Sequence, residues 1–296
     1  MTRPHPLARG RAWVVAAPYL WLALFFAGPF LIVLKISLAT GVVANPPYTP
    51  LFDDGRLQAS LDNYGFLFSD DLYALAYLNS VKIAAIACVC CLLIGYPIAY
   101  GIARAAPARR SALLMLVILP FWTSFLIRVY AWITLLQTNG PVNGVLQWLG
   151  LIDQPLGLLN TQFAVQVGIV YTYLPFMILP LYAVLEKLDP ALLEAAADLG
   201  SRPFRTFLSV TLPLSLPGVV AGSMLVFIPA VGEFVIPELL GGSETLMIGK
   251  VLWDEFFNNR DWPLASAVAV VMLILLVVPI MAFQHYRADA APRSVH

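Results

Sequence analysis

The chain is 296 residues long, 60% hydrophobic and 11% charged, with 17 basic against 17 acidic residues and a mean hydropathy of +0.82. That balance excludes an ordinary soluble domain, because the apolar residues stand in long blocks that no soluble core of this size requires. Membrane lipid is an expected partner and nucleic acid is not.

A helix needs roughly 20 mostly apolar residues to cross the hydrocarbon. Unpaired backbone groups are so costly in lipid that only helices or closed barrels span it. Six segments qualify, at residues 13–38, 78–103, 111–136, 163–185, 212–236 and 264–283, and no alternating strand pattern competes. The expected fold class is all-α: a polytopic membrane protein with six transmembrane helices, forming a single transmembrane domain over residues 1–296.

The first segment follows a basic start at Arg3, Arg9 and Arg11, as a secretory signal would. Its apolar stretch is too long for a signal core and no small-x-small cleavage site follows, so a retained first span is expected. Residues 40–77, with Pro46, Pro47 and Pro50, leave room for a short surface helix but not for a domain. The second span holds Cys88, Cys90 and Cys91, whose spacing suits neither a zinc site nor a disulfide framework and predicts reduced packing residues. Residues 137–160, rich in Gly and Pro and carrying Trp148, read as an interfacial connection. So do residues 241–263, where Ile248, Val251, Leu252 and Phe256 recur at helical spacing and Trp253 and Trp262 are expected as interface anchors.

Between the fourth and fifth spans, residues 186–211 form the longest strongly polar stretch between spans on the expected cytoplasmic side. Asp189-Pro190 can open a helix there, since proline lacks an amide proton that the first turn cannot use. Leu192, Leu193, Ala196 and Leu199 form an apolar face, with Glu194 and Asp198 on a more polar side. Gly200 is placed to stop the helix in the left-handed conformation. Phe204, Phe207, Leu208 and Val210 then lead into the fifth span, which carries Gly218 and Gly222 at small-xxx-small spacing and Pro213, Pro217 and Pro229. A short amphipathic helix of this kind also suits the headgroup region.

Ionisable residues inside or beside the spans are Lys35, Lys82, Arg128 and Glu233. Lys35 and Lys82 lie near enough to span ends to snorkel. Arg128 and Glu233 are deeper and opposite in sign, which fits either an internal ion pair or a place on a translocation path. The aromatic residues Phe121, Trp122, Tyr130, Trp132, Phe227 and Phe234 serve as packing or as faces for a passing cation.

Residues 194–213 read E-A-A-x3-G-x9-V-x-L-P. This resembles the cytoplasmic loop of ABC-importer permeases, E-A-A-x3-G-x9-I-x-L-P, with Val210 in the isoleucine position. Residues 120–132, 229–242 and 247–267 further resemble permeases of spermidine/putrescine importers, nearest to the putrescine type. The resemblance implies the type I ABC importer permease fold and an import function for polyamines. It implies a coupling helix that docks in a groove of a separate ATPase, a role that falls on Leu192, Glu194, Ala195, Ala196, Asp198, Leu199 and Gly200. The implied partners are two cytoplasmic ATPase subunits, a second permease subunit and an extracytoplasmic binding protein, in a bacterial plasma (inner) membrane. ATP and Mg would be bound by the ATPase, since this chain has no G-x-x-x-x-G-K-[ST] loop and is expected to hold no cofactor.

For a cationic substrate the candidate path residues are Glu233, Arg128, Trp122, Tyr130, Phe227 and Phe234. Relatives for another cation, iron or sulfate share the architecture and remain an alternative. An ion-driven secondary transporter is a further one, although neither an internal repeat nor a midplane acid is apparent. An intramembrane enzyme is disfavoured, because His5, His285 and His296 all lie near the termini.

Orientation follows from the positive residues, which are retained on the cytoplasmic side. They cluster at the amino terminus, at Arg104, Arg109 and Arg110, at Lys187, Arg202 and Arg205, and at Arg287 and Arg293, whereas the opposite loops hold Arg56, Lys250 and Arg260. Both termini are therefore expected in the cytoplasm. Single cysteines at Asp54 and Ser201, in a cysteine-free background, should react with an impermeant maleimide from outside and from inside respectively; the reverse pattern overturns the topology.

Overall fold

The computed structural model describes residues 6–53, 56–242 and 245–290. These divide into two compact units, Met1–Ala74 with Leu252–His296, and Leu75–Val251.

In the first unit, α1 (Pro6–Leu22) continues through a wide turn at Ala23–Ala27 into α2 (Gly28–Ser37). A two-residue ladder follows, with β1 (Phe52–Asp53) antiparallel to β2 (Arg56–Leu57), and then α3 (Asp62–Ser69). The carbonyls that end α2 and follow it are met by one side chain: Asn63 Nδ2 donates to Ser37 O at 2.9 Å and to Ala39 O at 2.8 Å. α14 (Trp262–Ala290) packs on α2 and α3. Trp262, expected as an interface anchor, is instead part-buried and stacked on Phe256, with ring centroids 5.0 Å apart.

The second unit holds most of α4 (Asp71–Arg104), then α5 (Pro107–Ile118), α6 (Phe125–Leu136), α7 (Pro141–Trp148), α8 (Gln162–Leu185), α9 (Ala191–Asp198), α10 (Pro203–Thr206), α11 (Leu212–Val231), α12 (Val235–Leu240) and the start of α13 (Ile248–Trp253). Its centre is α8 against α11, the most extensive helix contact of the unit. The two glycines singled out in the fifth span make it possible. A Cβ at Gly222 would stand 2.8 Å from Met177 Sδ and 3.1 Å from Met177 O, and one at Gly218 would stand 3.0 Å from Pro180 O. α4 approaches the same stretch of α8 through Gly95, where a Cβ would meet Met177 Cγ at 3.2 Å. Tyr96 Oη and Ser215 Oγ, 2.7 Å apart, tie α4 to α11. Cys88, Cys90 and Cys91 are free thiols, and the first and third lean on the carbonyls of Ser223 and Val170, as packing residues do.

Among the described residues, four helices are long and apolar enough to cross a membrane, or five if one bent pair counts as a span; the apolar part of α14, Trp262–Val277, is shorter. The sequence boundaries need correction in three places. The second span begins at Asp71, two turns before residue 78, because the acidic Asp71 suits a helix start. The third is not one rod over 111–136. It breaks after a tight turn at Leu119–Trp122, and its halves meet at 88°. Pro120 ends regular bonding there, Thr123 is extended, and the Thr123 hydroxyl takes up the Pro120 carbonyl at 2.8 Å. The fifth starts earlier and ends earlier than 212–236, running from Pro203 to Val231 before Gly232 interrupts it.

The amphipathic run at 248–257 also differs from expectation. Ile248, Gly249 and Val251 are buried in protein rather than spread on an interface. The α8–α11 contact leads to a direct test. Gly222→Leu forces a side chain into backbone and should destabilise the purified protein by about 1–3 kcal/mol or more; Gly101→Ala, where a Cβ meets nothing within 4 Å, should be neutral or stabilising. Thermal unfolding in detergent measures both.

Candidate functional site

The first candidate region is the helix after the fourth span. Asp189 Oδ1 accepts the amide of Ala191 at 3.0 Å and so caps the start of α9. Glu194, in the first turn, is exposed and takes no part in this bond. The other end stops as the glycine predicts. Gly200 has φ +77°, its amide bonds to Ala197 O at 2.8 Å, and the amide of Ser201 bonds to Ala196 O at 3.0 Å. This pair of bonds is a Schellman motif, which satisfies carbonyls the helix leaves open.

No residue of α9 is buried, and Leu199 just beyond it is 89% exposed. All seven coupling candidates, Leu192, Glu194, Ala195, Ala196, Asp198, Leu199 and Gly200, lie on this one protruding element. Leu192 and Leu199 are exposed there, with the carboxylates of Glu194 and Asp198 beside them. After Gly200, α10 and a wide turn at Phe207–Thr211 run without a break into α11. One glycine turn thus separates α9 from the helix that continues into α11.

The second region is the break between α11 and α12. Glu233 lies in this break and not inside a span, and it is 8% exposed. Its Oε2 accepts the Tyr173 hydroxyl at 2.6 Å, while Oε1 accepts the amides of Val235 at 3.1 Å and Ile236 at 3.4 Å. The carboxylate thus meets the positive end of α12, whose first-turn amides have no helical partner. α13 presses on the same break: a Cβ at Gly249 would stand 2.5 Å from Gly232 O, and Ile248 N is held by Ser80 Oγ at 2.8 Å. Lys250, on the same helix, pairs with Glu238 at 3.1 Å.

An ion pair between Arg128 and Glu233, one of the two readings above, is not formed. Arg128 places its guanidinium over the rings of Phe121 and Phe125, at 5.3 and 5.7 Å, and its buried Nε and Nη1 have no hydrogen-bond partner. The two charges are linked through rings instead. Phe121 meets Phe176 edge-on at 5.2 Å, Phe176 meets Tyr173 at 6.1 Å, and Tyr173 bonds to Glu233. The sequence singled out Phe121 but missed Tyr173 and Phe176, since an aromatic residue inside an apolar run carries no mark of what it faces. Of the other path candidates, Trp122 and Tyr130 stand exposed around the α5–α6 break, and Phe227 and Phe234 are part-buried near the α11–α12 break.

An exposed helix next to the fifth span and a break at the end of that span are the two features of this fold. Residues 14–288 match the family of binding-protein-dependent transport system inner membrane components, and the chain belongs to that family. It is a multi-pass membrane permease component of an ABC importer, and its relatives are transport subunits rather than enzymes.

Among its relatives is the spermidine/putrescine transport system permease protein PotB of Haemophilus influenzae, 43% identical over 275 residues, covering 93% of this chain and 92% of that one. The protein of the same name from Escherichia coli K12 is 41% identical over 272 residues, with 91% and 94% covered. The inner membrane ABC transporter permease protein YdcU of Escherichia coli K12 is 31% identical over 290 residues, with 93% and 88% covered. A bacterial ABC transporter that imports the acidic polysaccharide alginate has the same fold, with a TM-score of 0.67 over 96% of this chain and 98% of that one at 19% identity. A second structure of a bacterial alginate transporter, in complex with a pentasaccharide-bound periplasmic protein, gives a TM-score of 0.68 over 97% and 98%, again at 19% identity.

Proposed function

We propose that this chain is the permease subunit of a bacterial polyamine importer, carrying spermidine or putrescine inward across the plasma membrane. It pairs with a second permease subunit, receives substrate from an extracytoplasmic binding protein and is driven by two cytoplasmic ATPases, which alone bind ATP and Mg. Both termini and α9 face the cytoplasm. The observation that carries the coupling role is α9 itself, a helix with nothing buried, ended by a left-handed glycine and joined to the fifth span. The substrate class is supported by the relatives named for spermidine and putrescine, at 41–43% identity over more than nine-tenths of the chain.

The chemistry of the second region supports the same class. A polyamine carries cationic nitrogens between methylene runs, and its natural partners are ring faces and carboxylates. Phe121, Phe176 and Tyr173 supply the rings, and Glu233 supplies the charge at their end. Trp122, Tyr130, Phe227 and Phe234 flank the two breaks, where a substrate would pass from one aromatic face to the next. Arg128 repels such a substrate, so its place on the path is that of a boundary rather than a ligand.

Two measurements test these roles. Since nothing lies within 4 Å of a Cβ at Gly200, a substitution there acts through φ alone. Gly200→Val, a β-branched residue that enters this conformation at high cost, should uncouple ATP hydrolysis from transport in the reconstituted complex, whereas Gly200→Asn should keep most of the coupling. Undiminished coupled transport in the valine variant would count against α9 as the coupling element.

The second measurement is uptake of labelled putrescine, spermidine and an unrelated solute by the same complex. Polyamine uptake is expected, and its absence sinks the substrate assignment. Glu233→Gln keeps an acceptor for the α12 amides while deleting the charge, so the complex should assemble and polyamine uptake should fall by about tenfold or more, the scale of a hydrogen bond to a charged group. Normal uptake by assembled Glu233→Gln complexes removes Glu233 from the path.

A further inference from the structure

Between α4, α5 and α8 lies a cleft that reaches Pro120 at the α5–α6 break and includes no residue of α9 or of the α11–α12 break. Its walls include Ile98 and Ile102 of α4, Leu113 and Leu116 of α5, and Leu174 and Ile178 of α8, and its volume is about 330 Å³. These six side chains are aliphatic, and Tyr171 is the one aromatic residue of the lining. Leu116 is 64% exposed, so the cleft opens sideways out of the span rather than into the α8–α11 packing.

Three arginines stand at the connection. Arg110 is engaged internally: its Nε donates to Ala105 O at 2.9 Å and its Nη1 pairs with Glu186 at 3.3 Å. Arg104 lies over the Tyr100 ring at 5.5 Å. Among the described residues, neither Arg104 nor Arg109 has a carboxylate partner, and both are exposed. Two positive charges are therefore left uncompensated at this end.

Spacing connects the arginines to the cleft. Arg109, Leu113 and Leu116 stand at i, i+4 and i+7 of α5, which places them along one stripe of the helix. The rise from Arg109 to Leu116 is about 10 Å at 1.5 Å per residue, against about 15 Å for half of the hydrocarbon core. An aliphatic trough that opens laterally within a span and lies below two free guanidinium groups has the polarity of a phospholipid. The acyl chain matches the trough, and the phosphate matches the arginines.

We propose that this cleft is a binding site for one anionic phospholipid of the surrounding bilayer. Its acyl chain lies against Leu113, Leu116 and Ile178, and its headgroup lies at Arg104 and Arg109. A zwitterionic lipid fills the trough equally well, but its own ammonium balances its phosphate and it cancels neither arginine charge, so the arginines set the preference for a net negative headgroup.

The test uses the purified transporter complex, equilibrated with bilayers of mixed phosphatidylglycerol and phosphatidylcholine, extracted in mild detergent and weighed by native mass spectrometry. The wild type should retain one phosphatidylglycerol per copy of this chain. Leu116→Trp, which fills the trough, should lose it. Arg104→Gln with Arg109→Gln should keep a lipid but lose the preference for phosphatidylglycerol, by about fivefold for each arginine removed. Because both arginines are exposed, that double variant reads headgroup preference even where Leu116→Trp does not assemble. Equal retention and equal preference in wild type and double variant overturn the proposal. So does a cysteine at Leu116 that cross-links to a neighbouring subunit instead of reacting with a bilayer-dissolved maleimide, since the cleft is then covered by protein.

Discussion

The second unit depends on one close approach, the near contact of the α8 and α11 backbones at Gly218 and Gly222. Without a side chain at either position, Met177 and Pro180 of α8 lie directly against α11. Hydrophobic burial cannot drive helices together in lipid, whose tails are as apolar as leucine, so association rests on packing density and on short polar contacts. The glycines provide the first, and the Tyr96–Ser215 bond provides one of the second. α4 and α12 then settle on the same helix, through Gly95 and Gly168 respectively, and the break that holds Glu233 is positioned by what has already packed.

Broken helices within an apolar slab raise a backbone question, because each freed amide or carbonyl needs a partner where water is scarce. The α11–α12 break answers it with Glu233, which spends one oxygen on two amides and the other on a tyrosine. The α5–α6 break answers it differently, with the Thr123 hydroxyl donating to the Pro120 carbonyl. A charge stands in or beside each break, Glu233 in the one and Arg128 a turn past the other, and the rings of Phe121, Phe176 and Tyr173 lie between the two.

Element by element, legibility in the sequence tracked how local the determining interaction is. The α9 helix and its stop were readable because a cap, an apolar stripe and a left-handed glycine all act within a few residues. The class of fold was readable for the same reason, since a span is a local run of apolar residues. The kink at Thr123 was not, because Pro120 alone does not say whether neighbouring helices will re-satisfy the backbone or let it bend. Nor was the pairing of Glu233, since opposite charge suggested Arg128 while the nearest donor turned out to be a tyrosine sixty residues earlier.

By itself, then, the sequence determined a helical membrane permease, the element that stands ready to meet a partner, and the family to which both belong. Periodicity, composition and short motifs carry that information because hydrophobic length and capping are properties of contiguous residues. Tertiary structure alone decided which polar groups meet inside the span, where helices break, and that Arg128 faces rings and not a carboxylate. Those choices depend on which side chains are brought within a few ångströms by helices distant in sequence, and the close α8–α11 contact is what brings them there.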